Sequence, residues 1–311
     1  MAEVAGMEID MTPQRARQVL DEMYPDAKCI NVINHGYDNI VGLVDESYAV
    51  RFPRNATAYQ RSQYEKAVLQ SFHCGQTLEV PVVLGEHADP PALIVSYLHG
   101  EQHTGQEVND YPIALQEQFA KDVAHFAYTL HKSLSVEEVR GLRKRFAIDE
   151  LDGEWGDSID EQFSDANLSP LGTRQREAVK RYHDAWKRQN EGAEPVVVHD
   201  DLHMGNMLLQ GRRLTAVLDF GDTAIGMPEQ ELRHLYRINE RVLSVAVETY
   251  GQLSGKPVDI EAAKTWAVIQ ELGSFVGRLS RGELDHPSFG RACGNLNAWL
   301  PEGRWGAAQG L

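Results

Sequence analysis

Two short segments constrain this chain more than any other feature of its sequence. The first runs from His199 to Asn206 and places Asp201 five residues ahead of that Asn. The second is the Asp-Phe-Gly-Asp run at 219–222. Each follows a short aliphatic run that predicts a buried strand, so polar side chains would stand at the ends of rigid elements. A carboxylate followed by two oxygen donors suited to Mg²⁺ is typical of a phosphoryl-transfer site.

Three side chains of these segments would have separate tasks. Asp201 can accept a hydrogen bond from a substrate hydroxyl and aim its oxygen at a γ-phosphate. Asn206 and Asp219 supply the hard oxygen ligands that Mg²⁺ prefers, and the metal offsets phosphate charge as the phosphoryl group moves. The simpler interpretation, two acidic turns of a hairpin, suits either segment alone. Both segments together, in this order, favour the catalytic interpretation.

The same residues resemble the aminoglycoside phosphotransferase family, which are small-molecule kinases with a protein-kinase-like fold and include antibiotic kinases. Residues 199–206 match its His-x-Asp-Leu-His-x-Gly-Asn loop, and 219–222 match its metal-binding segment. Three positions depart from the family pattern: Asp200, where Gly or Arg is common, and Met227 and Glu231, where Asp is usual. These departures bear on local packing and substrate contacts rather than on the catalytic pair.

The resemblance also assigns nucleotide-binding roles in the N-terminal third. Gly36 lies in the turn that covers the nucleotide, and Arg51 occupies the strand position where a Lys usually grips the phosphates. Glu65, on a predicted helix, pairs with Arg51 and fixes its direction. The carbonyl of Ser96 and the N–H of Leu98 bind the base. The plainer alternatives are a simple hairpin turn, a solvent-facing strand Arg and a surface helix Glu.

The implied fold is α+β, a bilobal protein-kinase-like fold with a small antiparallel-sheet N-lobe and a larger, mainly helical C-lobe. Apolar periodicity supports helices at 12–24, at 115–130 and through most of 229–282. The expected division is an N-terminal nucleotide-binding lobe at 1–95, a hinge at 96–100 and a C-terminal catalytic and acceptor-binding lobe at 101–311.

Composition favours a cytoplasmic globular protein. The chain has 311 residues, of which 42% are hydrophobic, enough for one or two domains with a sizeable core. Its three cysteines are far apart and show no metal or redox spacing, which favours a disulfide-free protein. The N-terminus lacks the basic and apolar regions of a signal peptide, and no apolar run approaches 18 residues, so we expect no membrane partner.

Charge narrows the possible partners. Thirty basic and 46 acidic residues give a net charge of −16, which argues against nucleic acid and suits a cationic small molecule. Acidic residues are concentrated at 149–165, a stretch without Lys or Arg. In the resembled family an insertion near this position helps to form the acceptor pocket, so Asp157 and Asp160, together with Asp222, are candidate acceptor contacts. A solvated acidic loop that only adds solubility is the alternative.

The sequence therefore predicts a small-molecule kinase that transfers the γ-phosphoryl group of ATP or GTP, with Mg²⁺, to a hydroxyl of an aminoglycoside-like or macrolide antibiotic. One alternative is a metabolic kinase of an amino alcohol or sugar. The other is a non-catalytic nucleotide-binding regulator, against which the intact Asp201, Asn206 and Asp219 argue. The sequence favours no particular oligomeric state.

Overall fold

An antiparallel sheet of five strands forms the N-terminal part of the molecule, with spatial order β1-β2-β3-β5-β4. Its strands are β1 (Ile30–Ile33), β2 (Asn39–Val44), β3 (Tyr48–Pro53), β4 (Val83–Ala88) and β5 (Pro91–Ser96). The computed structural model describes residues 9–72, 78–149, 155–190, 194–301 and 304–306.

Two helices pack against this sheet. Helix α1 (Pro13–Met23) begins after Thr12, whose hydroxyl accepts a hydrogen bond from the N–H of Arg15 at 3.2 Å, as a helix N-cap does. Leu20 of α1 is buried in a cluster with residues of β2 and β3. Helix α2 (Ala56–Ser71) follows β3 directly, so it passes close to that strand. This short connection positions side chains of α2 beside those of β3.

The C-terminal part is mainly helical. Its longest helices surround a core in which α4 carries the predicted apolar stripe, since Phe119, Val123, Phe126 and Leu130 are buried. The helices are α3 (Gly105–Asn109), α4 (Ile113–Ser133), α5 (Val136–Arg145), α6 (Trp155–Gln162), α7 (Asp165–Leu168), α8 (Thr173–Asn190), α9 (Pro228–Leu232), α10 (Glu240–Ser254), α11 (Ile260–Ser280) and α12 (Pro287–Trp299), with 3₁₀ turns at Met204–Asn206 and Arg233–Arg237.

Two short strand pairs lie between these helices and carry the two sequence segments. Strand β6 (Val196–Val198) pairs with β9 (Ala224–Gly226), and β7 (Met207–Gln210) pairs with β8 (Arg213–Val217), both antiparallel. The segment 199–206 leaves β6, and 219–222 follows β8. The N–H of Leu218 donates to the carbonyl of Asn206 at 2.8 Å, which joins the two segments.

The predicted fold class is confirmed: a small antiparallel sheet lies at the N-terminal side and a helical region at the C-terminal side. The helices predicted at 12–24, 115–130 and 229–282 are present, the last as several separate helices. Over the described ranges, none of the helices combines the length and apolarity that spanning a bilayer requires.

Candidate active site

His199 anchors the loop that carries Asp201. Its ring is fully buried, and its Nε2–H donates to the carbonyl of Leu218 at 2.9 Å, directly before the second segment. The ring packs edge-on against Phe220, with centroids 4.8 Å apart. Burial lowers the pKa of His199, which favours the neutral imidazole. The residue therefore joins the two segments through a hydrogen bond and ring packing.

Asp201 and Asn206 are held together within the loop. The Asn206 side-chain amide donates from Nδ2 to the backbone carbonyl of Asp201 at 2.9 Å and to its Oδ2 at 3.0 Å. A Cβ at Gly205 would lie only 2.7 Å from the His203 ring, so any other residue there would displace this ring. His203 Nε2 lies 3.4 Å from Asp201 Oδ2. The amide oxygen of Asn206 is left as the group that can bind a cation.

Arg51, Glu65 and Asp219 form one ion-pair network between the sheet, α2 and the second segment. Arg51 forms a short hydrogen bond with Glu65 and lies 3.0 Å from Asp219 Oδ1. Glu65 also accepts from the N–H of Phe220 at 3.0 Å. The pairing of Arg51 with Glu65, predicted from the resemblance, is present, and Arg51 is not the solvent-facing residue of the alternative.

In this network, burial and ion pairing shift the pKa of each side chain in opposite directions. Burial alone would lower the pKa of Arg51, but the carboxylates of Glu65 and Asp219 raise it. Burial raises the pKa of Glu65 against the opposing effect of Arg51. Burial would also raise the pKa of Asp219, yet the Arg51 guanidinium more than offsets this and lowers it. Asp219 has a φ of 63°, a left-handed conformation that Asp tolerates.

Asp222 faces a cation that the sequence reasoning did not identify. Arg61 of α2 approaches Asp222 Oδ1 at 3.0 Å and Asp38 Oδ2 at 3.8 Å. Burial, together with repulsion from Asp201 and Asp219, raises the pKa of Asp222 to about 7. Half of the Asp222 side chain is nevertheless exposed, so water screens these interactions. Arg61 lies four residues before Glu65 on the same helix. This spacing places the two side chains on one face of the helix and is the sequence feature that could have identified Arg61.

A buried network of hydrogen bonds and an ion pair holds Asp200, the residue before Asp201. Arg233 is 1% exposed; its Nη1 lies 2.8 Å from Asp200 Oδ1, and its Nη2 donates to the Asp200 carbonyl at 2.5 Å. Gln230 Nε2 donates to Asp200 Oδ1 at 2.7 Å, and the Asp200 N–H donates to Glu231 at 3.2 Å. These contacts fix Asp200 at a φ of 66°. The unusual Asp200 and Glu231 in the sequence were the signal for this network.

A cavity of about 1420 Å³ opens beside Asp201 and Asp222 and extends to α11 and α12. Among described residues, Arg51, Asn206 and Asp219 are not part of its lining, whereas Asp201 is. Its charged lining consists of seven arginines, Arg61, Arg140, Arg143, Arg233, Arg278, Arg281 and Arg291, and four aspartates, Asp149, Asp200, Asp201 and Asp222.

The remaining predicted site residues lie in other parts of the molecule. Gly36 lies in the turn between β1 and β2, where its carbonyl accepts from Arg54 at 3.1 Å. Ser96 ends β5, and Leu98 follows two residues later, at the predicted hinge. Asp160 lies outside the described cavity lining and pairs with His183 and Lys187 at 2.6 and 2.7 Å. The side chain of Asp157 lies outside the described residues.

The donor set near the catalytic loop fits Mg²⁺ held jointly with a nucleotide. Across the described ranges, no group of three or more His, Cys, Asp and Glu could hold a metal by itself. Mg²⁺ in nucleotide-dependent enzymes commonly takes one or two protein oxygens and completes its shell with phosphates and water. The exposed carboxylate of Asp219 and the amide oxygen of Asn206 are such a pair.

Comparison with solved structures gives extended matches in fold. The GDP complex of an aminoglycoside 2'-phosphotransferase-IIIa superimposes with a TM-score of 0.75 at 17% identity, covering 93% of this chain and 98% of that one. Macrolide 2'-phosphotransferase MphH from Brachybacterium faecium gives a TM-score of 0.64 at 18% identity, covering 94% and 100%. A streptomycin–ATP–APH(2'')-IIa complex gives 0.67 at 17% identity, covering 93% and 97%.

Sequence comparison identifies the family. No curated protein sequence matches the chain. The model of the phosphotransferase enzyme family matches residues 30–272, which include the sheet, the hinge and both polar segments. The chain therefore belongs to the phosphotransferase enzyme family and is a phosphotransferase with an alcohol group as acceptor.

Proposed function

We propose that this protein transfers the γ-phosphoryl group of ATP or GTP to a hydroxyl of a small molecule bound in the cavity beside Asp201. The observation that carries the proposal is that Asp201 lines the cavity on a loop whose Asn206 bonds both to Asp201 and, through its carbonyl, to the N–H of Leu218, the residue before Asp219. A carboxylate on the acceptor side and metal-binding oxygens on the other side are what in-line phosphoryl transfer requires.

In this proposal Asp201 orients the acceptor hydroxyl and accepts its proton late in the reaction. Early removal of the proton is not needed, because the transition state is loose and demands little activation of the nucleophile. Asn206 keeps the Asp201 carboxylate in place through its hydrogen bond at 3.0 Å. Most of the rate enhancement would then come from positioning and from stabilisation of charge.

The proposed nucleotide site lies across Arg51 and the hinge. Arg51 is directed by Glu65 and would contact nucleotide phosphates; Gly36 covers them, and the backbone of Ser96 and Leu98 would bind the base. Asn206 and Asp219 would hold Mg²⁺, which supplies neutralisation of phosphate charge during transfer. Two of the structural neighbours were solved with GDP or ATP, which supports a nucleotide co-substrate.

For the acceptor, the neighbours support an antibiotic. One was solved with streptomycin, an aminoglycoside, and another is a macrolide phosphotransferase. The cavity of about 1420 Å³ exceeds the roughly 300–1,000 Å³ of ordinary small-molecule sites, so it is large enough for an aminoglycoside or a macrolide. Asp222 is the proposed carboxylate contact for an amino group. Asp157 and Asp160 remain weaker candidates, since Asp160 is already paired with His183 and Lys187.

A second acceptor class is favoured by the arginines. The described lining has seven arginines and four aspartates, so it is not the acidic surface that the net charge of −16 suggested, although Arg61, Arg143 and Arg233 are paired with lining aspartates. The metabolic alternative, with a sugar or related polyhydroxyl acceptor, suits this lining better.

The test is Mg²⁺-dependent nucleotide consumption by the purified protein with aminoglycosides, macrolides, amino alcohols and sugars. We expect one acceptor class to stimulate consumption and Asp201→Ala to abolish the stimulation while nucleotide still binds. Asp165→Ala is the matched control, because Asp165 is a highly exposed aspartate paired with Lys180 at 3.1 Å. Stimulation that persists in Asp201→Ala would refute the proposed role of this residue.

A further inference from the structure

One part of the cavity lining is formed by the C-terminal end of α11, the following turn and the start of α12. Three arginines project from these elements into the cavity lining: Arg278, Arg281 and Arg291. We call this group the arginine wall. Ser288 and His286 lie between them in the same lining.

The arginines of this wall share their carboxylate partners. Arg278 and Arg281 share one carboxylate, that of Glu283: Arg278 forms a short ion pair with it, and Arg281 Nε lies 3.2 Å from it. Arg291 lies 3.5 Å from Glu271, whose other oxygen is already bound by Arg237 at 2.6 Å. Among the described ion pairs of this region, four guanidinium groups thus share two carboxylates, in a chain of net charge −16.

The guanidinium groups of the wall are accessible from the cavity. The side chains of Arg281 and Arg291 are 52% and 44% exposed. Within the described part of the chain, Glu283 is the one carboxylate within 4 Å of Arg281, and it is contacted through Nε. The two terminal nitrogens of a guanidinium can then bind a planar oxyanion side by side, a geometry that Lys cannot offer.

We infer that the arginine wall binds an anionic group of the acceptor, so that the phosphorylated hydroxyl belongs to a molecule that also carries a carboxylate, phosphate or sulfate. This inference rests on the proposed function, because it assigns the second contact of the same acceptor. Asp201 and the wall line one continuous cavity. The acceptor hydroxyl would lie at Asp201 and its acidic group at the wall.

The nucleotide is a less suitable occupant of the wall. Its phosphates are expected at Arg51, which stands outside the described lining of the cavity. A purely structural role, in which the arginines only join α11 to α12, would leave acceptor binding unchanged on substitution. These two possibilities predict a changed nucleotide KM and a changed unfolding midpoint, respectively, and both are measurable.

Binding is tested first, without chemistry. Trp186 and Trp266 line the cavity, so their fluorescence reports occupancy. Inorganic sulfate is titrated into the Asp201→Ala protein, followed by glucuronate, glucose 6-phosphate, glucose and glucosamine, which share a ring and differ in charge. We expect sulfate and the acidic sugars to change the fluorescence at lower concentration than glucose or glucosamine. Comparison of glucuronate with glucose 6-phosphate distinguishes a carboxylate from a phosphate as the preferred group.

The matched substitutions are Arg281→Gln and Arg241→Gln. Arg241 is also 52% exposed and has one carboxylate partner, Glu117, at 3.8 Å, but it lies outside the described cavity lining. We expect Arg281→Gln to weaken binding of the acidic probes roughly tenfold, the effect of one charge-assisted hydrogen bond. Arg241→Gln should bind them like the unsubstituted protein, and neither substitution should change nucleotide KM or the unfolding midpoint.

Several results would overturn the inference: tightest binding of glucosamine, no response to sulfate and acidic sugars, equal behaviour of the two Arg variants, or a changed nucleotide KM in Arg281→Gln. Its failure is distinguishable from failure of the proposed function. If the wild-type protein binds acidic probes through Arg281 yet consumes no nucleotide with any acceptor, the phosphotransfer proposal fails and the anion site remains.

Discussion

The two ends of the acceptor cavity differ in how their charge is arranged. At the catalytic end, Asp201 and Asp222 stand close to Asp219, and their mutual repulsion contributes to the raised pKa of Asp222. At the other end, the arginine wall has more guanidinium groups than carboxylates. The comparison teaches that the net charge of a chain does not predict the charge of its pocket, because a few side chains on two helices determine it locally.

The largest effect is expected on substitution of Arg233, which belongs to the buried network around Asp200. Arg233→Met would leave Asp200 buried without its cation and lower the free energy of unfolding by about 3–5 kcal/mol. Urea denaturation measures this. Adding Asp200→Asn should restore part of the loss, because the buried charge is then removed. A single variant as stable as the wild type would show that the ion pair does not hold the loop.

Asp219→Ala should damage the catalytic end selectively. It removes the proposed metal ligand and one partner of Arg51. We expect kcat to fall by about 10²–10³-fold, comparable to the loss of one electrostatic stabiliser of a transition state, with Mg²⁺-dependent nucleotide binding lost as well. Initial rates and nucleotide titrations with and without Mg²⁺ measure both. Unchanged Mg²⁺ dependence would exclude Asp219 as a ligand.

Glu231 should make stability depend on pH. It is fully buried next to Asp200, Arg233 and the backbone of His199, and burial raises its pKa from 4.5 to about 8. The folded protein therefore keeps a proton that the unfolded chain releases near pH 4.5. Between these values unfolding free energy should fall as pH rises, by up to about 1.4 kcal/mol per pH unit.

The Glu231→Gln variant tests this assignment, because its neutral amide cannot titrate. Urea unfolding of both proteins from pH 5 to pH 8 should show a decline that is steeper in the wild type. Parallel curves would mean that Glu231 is ionised in the fold throughout this range.

The smallest predicted effect is the salt dependence of acceptor binding at the arginine wall. Its guanidinium groups are partly exposed, so salt should screen them, whereas the buried Arg51–Glu65 pair should respond little. At about 1 M salt, where the Debye length is about 3 Å, we expect a few-fold rise in KM for an acidic acceptor. Stability should remain nearly constant. Acceptor KM that is independent of salt would contradict the wall's role.

The catalytic end could be predicted from sequence because its residues lie in two compact segments at strand ends. Asp201 and Asn206 are connected by local hydrogen bonds, and His199 bonds to Leu218, directly before the second segment. The pairing of Arg51 with Glu65 spans only one strand-to-helix connection, and it was also predicted.

The rest of the site could not be predicted because it depends on tertiary placement. Arg233 reaches Asp200 across 33 residues, and the arginines of α11 and α12 become neighbours of Asp201 only through the helical packing. No motif marks them. In the acidic stretch at 149–165, Asp149 lines the cavity and is paired with Arg143, whereas Asp160 lies outside the described lining and is paired with His183 and Lys187; a role for this stretch in acceptor binding stays a prediction.

The most direct measurement of the central claim is transfer of labelled γ-phosphate from ATP and GTP to an acceptor by the wild-type protein and by Asp201→Ala, with Mg²⁺. The proposed role of Asp201 predicts a phosphorylated acceptor from the wild type and a rate about 10²–10⁴-fold lower in the variant, with nucleotide affinity retained. Equal transfer by both proteins, or nucleotide binding without transfer to any acceptor, would contradict it.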